Sequence, residues 1–138
     1  MCFRIGYGYD VHQLAVGEDF ILGGIQIEHT KGTVGHSDAD VLIHVICDAI
    51  LGAANMRDIG FHFPDISAEF KGVDSKILLK KVMTLVRSKG FELVNVDTTV
   101  CLQYPKINPH IPTMQKVLAK CMGIEKDQVS VKATTTEK

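Results

Sequence analysis

The chain of 138 residues has no tryptophan, only four prolines and only four cysteines. No apolar run approaches the ~20 residues that a membrane-spanning helix needs, so a spanning segment is not expected. The first residues lack the basic stretch and apolar run of a secretory leader. Fifteen basic residues against sixteen acidic ones give a net charge of −1. There is no basic stripe, which argues against a nucleic-acid partner. Cys2, Cys47, Cys101 and Cys121 are widely spaced and form no C-x-x-C, which disfavours a cysteine-built zinc site and a thioredoxin-type motif. This usage points to a reducing compartment, most simply the cytoplasm. Cys47 in a helix and Cys101 in a strand are expected to be small buried hydrophobes. No repeat, low-complexity tract or linker divides the chain, so residues 1–138 read as a single domain.

What is present is a globular pattern, with 46% hydrophobic residues. Residues 2–9 predict a strand whose Gly6 and Gly8 mark close backbone approach. Residues 13–19 read as a connection. Residues 20–27 read as a second strand, interrupted by Gly23-Gly24 at a bulge or turn. Residues 28–35 read as a polar loop. Helices are predicted over 38–54, 74–89 and 113–122 from apolar residues at helical spacing, with Gly90 and Gly123 as C-terminal stops. Strands are predicted over 91–104 and 128–135. Residues 55–65 and the proline-rich 104–112 read as loops, the latter stiff enough for a pocket wall. Strands alternating with helices predict an α+β sandwich (an α/β sandwich in the broad sense), a mixed sheet with three helices packed on one face.

Two segments concentrate chemistry. In His36-Ser37-Asp38-Ala39-Asp40-Val41-Leu42-Ile43-His44, Ser37 has the character of a helix N-cap, with Asp40 placed to reach back to it. His44 follows Asp40 by one turn. His36 stands at the helix start, where the dipole favours anions. In Gly8-Tyr9-Asp10-Val11-His12, Asp10 and His12 share one side of an extended chain. Two imidazoles and a carboxylate suit a catalytic zinc with an open fourth position. An ordinary surface Asp–His pair and a structural histidine remain the plain alternatives. Asp58 and Asp65 fit turn chemistry, or recognition of a hydroxyl or a metal-bound water, with turn chemistry the simpler of the two. The Thr134-Thr135-Thr136 run suits a phosphate-binding strand end or simple β-propensity.

Taken together, the motifs resemble the 2-C-methyl-D-erythritol 2,4-cyclodiphosphate synthase family. They are residues 4–12, 36–44, Asp58-Ile59-Gly60, Phe63-Pro64-Asp65, residues 70–75, 109–114 and 131–138. The resemblance covers essentially the whole chain. It implies an enzyme that closes a cyclic diphosphate with release of CMP, in non-mevalonate isoprenoid biosynthesis. It implies zinc on Asp10, His12 and His44, and a second divalent cation, Mg2+ or Mn2+, on Glu137. His36 and Thr135 would steady the transferring phosphoryl group. Asp58 and Gly60 would bind the ribose. Lys106 and its neighbours from Leu102 to Asn108, Pro105 among them, with Ala133 and Thr135, would form the cytosine pocket, and Asp65 would meet the methylerythritol hydroxyls. Ser37, Asp48, Thr134 and Thr136 complete the implied substrate contacts. It also implies a homotrimer with subunit sheets facing a central axis and sites between subunits. The family pattern continues beyond Lys138, so contacts from that segment are not assigned. The competing readings are a zinc-dependent phosphohydrolase and a non-catalytic trimer that binds isoprenoid diphosphates.

Overall fold

A computed structural model describes residues 2–35, 38–64 and 74–137. The order is β1 (Leu14–Val16), β2 (Phe20–Leu22), β3 (Ile25–Ile27), β4 (Lys31–Thr33), α1 (Val41–Ala53), α2 (Ile59–His62), α3 (Ser75–Ser88), β5 (Val96–Cys101), α4 (Ile111–Met122) and β6 (Val129–Thr134). The fold is α+β, as the alternation predicts. The strands pair two by two among the described residues, without forming one continuous mixed sheet. β1 pairs antiparallel with β4 and β2 with β3, while β5 and β6 run parallel. Among the described residues no helix is long and apolar enough to cross a membrane.

Gly23 and Gly24 both have positive φ, 62° and 80°, so the interruption is a two-residue hairpin turn rather than a bulge. β1 and β4 fall in stretches read as a connection and a loop. Each has three residues, too few to display a period.

Residues 2–12 form no strand, and the Gln13 carbonyl accepts the Val34 N–H at 2.8 Å, one step beyond the β1–β4 register. Their alternation has another cause. Phe3, Ile5, Tyr7, Tyr9 and Val11 point outward, each at least 70% exposed. Gly6 and Gly8 face α1, where an added Cβ would overlap the carbonyl oxygens of Ala49 and Val45. The glycines therefore let a bare backbone lie on the helix.

α1 begins at Val41, later than expected, because Ala39 has φ 57° and breaks the helical path. The cap is Asp40 and not Ser37, which lies outside the described residues. The Asp40 carboxylate accepts the Ile43 N–H at 3.1 Å, and those of Gly23 and Gly24 at 3.0 and 2.7 Å. One fully buried carboxylate thus ties the β2–β3 turn to the start of the helix bearing His44. Burial pushes its pKa up to about 7, against the pull of the three N–H donors, and nearby Asp38 adds to the rise.

α3 is capped by Asp74, which accepts the Lys76 N–H at 2.9 Å. α4 starts two residues earlier than expected, since Pro112 is tolerated in a first turn. It ends at left-handed Gly123. α1, α3 and α4 close over a core that includes Ile43, Ile46, Leu79, Val82, Leu118 and Met122. α4 packs on β6 and α1 on β5. β5 is shorter than residues 91–104 and alternates along its length. Val96, Thr98 and Val100 turn inward, and Asp97, Thr99 and Cys101 outward. Cys101 is therefore exposed and not the buried hydrophobe expected, because its parity in the strand places it on the outer face. Cys47 is buried as expected.

Candidate metal centre

Gly8 seats the N-terminal segment on the Val45 carbonyl, one residue beyond His44. The chain then delivers Asp10 and His12 to the same side, over the buried His44 ring. Asp10 Oδ2 lies 3.4 Å from His12 Nδ1 and 3.9 Å from His44 Nδ1. The two imidazole centroids are 5.3 Å apart, tilted by 52°. One ligand atom from each of the three residues lies within 4.8 Å of the others. Donors on a tetrahedral zinc stand about 3.3 Å apart for bonds of about 2.0–2.1 Å. The set is already close to that spacing. Gly35 lies against the His12 ring, where a Cβ would come within 3.2 Å of it.

The electrostatics suit a cation. His12 Nδ1 is buried and makes no hydrogen bond, an orphan that a metal would satisfy. Burial lowers the pKa of His44, with His12 acting in the same direction and Asp10 and Asp38 opposing. A neutral imidazole is the form that ligates metal. Asp10 adds negative charge beside the two rings. Two nitrogens and one oxygen, with Asp10 open to solvent, match a zinc site that keeps a position for substrate. The residues present fit the group.

Behind His44, its Nε2 lies 3.0 Å from the hydroxyl of fully buried Ser75, the first residue of α3. Ser75 donates its hydroxyl proton to Asp38 Oδ1 and its backbone N–H to Asp38 Oδ2, the latter at 3.0 Å.

The other sequence candidates fall into two groups. Asp48, on α1, accepts the Ile59 N–H at 2.9 Å and holds the start of α2. Burial raises its pKa, opposed by that hydrogen bond, and the charges of Asp58 and Asp10 raise it further. Asp58 precedes α2, its carbonyl accepting the Phe61 N–H at 3.2 Å while its side chain makes no capping bond, and Gly60 lies within α2. This short helix occupies part of the stretch read as a loop. The second group is where β5 and β6 end together. Leu102 donates its N–H to the Thr134 carbonyl at 2.9 Å, extending the ladder past Val100–Ala133 and Cys101–Thr134. The Thr136 N–H and hydroxyl both donate to Gln103 Oε1, at 2.7 and 3.1 Å. Pro105 follows a cis peptide, and Lys106 stacks over the Tyr104 ring. Thr135 Oγ1 accepts the Glu137 N–H at 3.4 Å, and Glu137 has φ 63°. Glu137 is not among the residues brought to the Asp10–His12–His44 cluster. His36, Ser37 and Asp65 lie outside the described residues. Sequence reasoning missed Asp38, Ser75 and Gly35. A carboxylate two residues before a cap, and a serine opening a helix, carry no signal of their own.

A model of the YgbB family matches residues 3–138. The 2-C-methyl-D-erythritol 2,4-cyclodiphosphate synthase of Bacteroides fragilis is 60% identical over 138 residues, which is 100% of this chain and 87% of that protein. The enzyme of the same name from Parabacteroides distasonis is 61% identical, over 100% of this chain and 86% of its own. Among solved structures, a 2C-methyl-D-erythritol-2,4-cyclodiphosphate synthase in its CDP-bound form superposes with a TM-score of 0.92 at 34% identity, covering 97% of this chain and 89% of that one. The bifunctional IspDF of Campylobacter jejuni gives 0.94 at 43% identity, over 99% of this chain and 37% of its own. The CDP complex of IspF from Plasmodium falciparum gives 0.84 at 36%, over 98% and 83%. Matched along nearly its whole length by one family model and by relatives of this identity, the chain belongs to the YgbB family.

Proposed function

We propose that this chain is a cyclodiphosphate synthase, a phosphorus–oxygen lyase acting on 4-diphosphocytidyl-2-C-methyl-D-erythritol 2-phosphate. The convergence of Asp10, His12 and His44 carries the reading, supported by the CDP-bound relatives that share the fold. An oxygen of the 2-phosphate attacks the β-phosphorus. The bond from that phosphorus to the oxygen bridging the α-phosphate breaks, and CMP leaves with that oxygen. The nucleophile is an anion at neutral pH, so position and charge neutralisation are what the protein must supply.

Asp10, His12 and His44 would hold Zn2+, and Glu137 a Mg2+ or Mn2+. Such ions act when bound as Lewis acids that offset charge on phosphate oxygens. Thr135 and His36 would steady the transferring group. The end of β5 with Leu102, Pro105 and Lys106, and the end of β6 with Ala133, Thr134 and Thr136, would hold the cytidine. Ser37, Asp48, Asp58, Gly60 and Asp65 would bind the sugar and methylerythritol portions. Holding the two ends of the substrate together contributes through proximity, up to about 7–11 kcal/mol in the best-oriented intramolecular reactions.

Assembly as a homotrimer, with the strands facing a common axis, is part of the proposal. Two features support it: the outward stripe of Phe3, Ile5, Tyr7, Tyr9 and Val11, and the separation of Glu137 from the three-residue cluster. A site completed by a neighbouring subunit unites the two groups.

The test is phosphorus NMR of the products after incubation with substrate, zinc and magnesium. Cyclic diphosphate and CMP in equal amounts are expected. A linear phosphate carrying an oxygen from labelled water would make the chain a phosphohydrolase. Metal-dependent binding without turnover would make it a binding protein.

A further inference from the structure

We infer that Asp38 and Ser75 decide which nitrogen of His44 carries the ring proton, and so keep Nδ1 deprotonated toward Asp10 and His12. The inference rests on the metal reading above and extends it to two residues outside the ligand set. A carboxylate only accepts hydrogen bonds, and a serine hydroxyl has one proton to give. Ser75 gives that proton to Asp38 Oδ1, and its backbone N–H to Asp38 Oδ2 at 3.0 Å. Toward His44 Nε2, 3.0 Å away, the Ser75 oxygen then acts as acceptor, which requires the ring proton on Nε2. The lone pair is thereby set on Nδ1, the nitrogen 3.9 Å from Asp10 Oδ2.

The relay is built into the fold. Ser75 is fully buried at the first position of α3, and Asp38 stands just before α1. Asp38 also accepts the Asp40 N–H at 3.2 Å, which anchors it to the cap of α1. Metal-binding histidines commonly hand their second N–H to a carboxylate, carbonyl or water, which raises ligand basicity. Here a serine stands between imidazole and carboxylate. Asp38 and Ser75 are positioning residues, acting on the metal through His44.

The experiment reads the ring nitrogens of His44 by NMR in metal-free protein labelled with 15N-histidine, and separately measures zinc affinity by chelator competition. Wild type is expected in the Nε2–H form. Ser75→Ala removes the acceptor and gives a mixture of tautomers. Asp38→Asn reverses the preference. Its carbonyl oxygen keeps the Ser75 N–H and its amide donates to the Ser75 oxygen. The hydroxyl proton then turns to His44 Nε2, and the ring proton moves to Nδ1. Zinc affinity falls about 10–100-fold in both variants. Ser75→Thr restores both readouts. Circular dichroism checks that each variant is folded, and if Ser75→Ala is not, Asp38→Asn and Ser75→Thr carry the test. An Nε2–H form that persists in Asp38→Asn, or a wild type in the Nδ1–H form, overturns the inference. Because the tautomer is read without metal, that failure is distinct from failure of the metal reading, which would show as a wild type that holds no zinc.

Discussion

Asp40 makes the stability of this fold depend on a single buried proton. Its carboxyl is pushed from the ordinary 3.8 up to about 7 by burial. A group whose folded pKa is raised stabilises the native state fully below the unfolded value, and loses that contribution as pH rises through the folded value. At about 1.36 kcal/mol per pH unit the whole contribution is about 4 kcal/mol, of which about 3 kcal/mol is lost between pH 5 and 8.5. Asp40→Asn isolates this. The amide oxygen still accepts from Gly23 and Ile43, so the cap on α1 survives, since asparagine caps as well as aspartate. The amide N–H₂ then faces the Gly24 N–H, a mismatch that costs about 1–3 kcal/mol at every pH. Urea unfolding of both metal-free proteins from pH 5 to 8.5 cancels the other titrating groups by subtraction. Wild type should lose about 3 kcal/mol relative to the variant across that range. A constant difference, or a wild type that gains on the variant as pH rises, would refute the reasoning.

His44→Ala should abolish stoichiometric zinc and nearly all CMP release, and elemental analysis showing full zinc with normal turnover would remove His44 from the ligand set. Glu137→Gln should retain zinc but need far more magnesium for turnover, so an unchanged magnesium titration would count against its role. Gly8→Ala forces a Cβ into the Val45 carbonyl, lifts the segment bearing Asp10, and should cost about 1–3 kcal/mol in thermal unfolding together with weaker zinc binding. Gly52→Ala, on α1, adds a Cβ that meets nothing within 4 Å and serves as the matched control, expected to be neutral or slightly stabilising.

The long periodic segments were legible. Helical spacing and glycine stops locate α1, α3 and α4 to within a few residues, and the Asp10, His12 and His44 side chains come together as the family resemblance implies. The errors arose where tertiary contacts outweigh local pattern. Helix α1 starts later than its apolar spacing predicts because Ala39 takes a left-handed φ and Asp40 is the cap. The glycines of the N-terminal segment do mark a close approach. Their partner is a helix, however, and the alternation that suggested a paired strand reflects one bare side and one outward side. β1 and β4 were invisible because three residues carry no period. The Asp38–Ser75–His44 relay joins positions 37 and 31 residues apart in sequence, and no spacing rule could reveal it.

In this reading the N-terminal segment and α1 grip a single cation between them. X-ray absorption at the zinc edge of the loaded protein tests it most directly. Two imidazole nitrogens and one carboxylate oxygen are expected around the zinc of the wild type, and only background zinc in His44→Ala. A shell containing sulfur, or one unchanged in that variant, would contradict it.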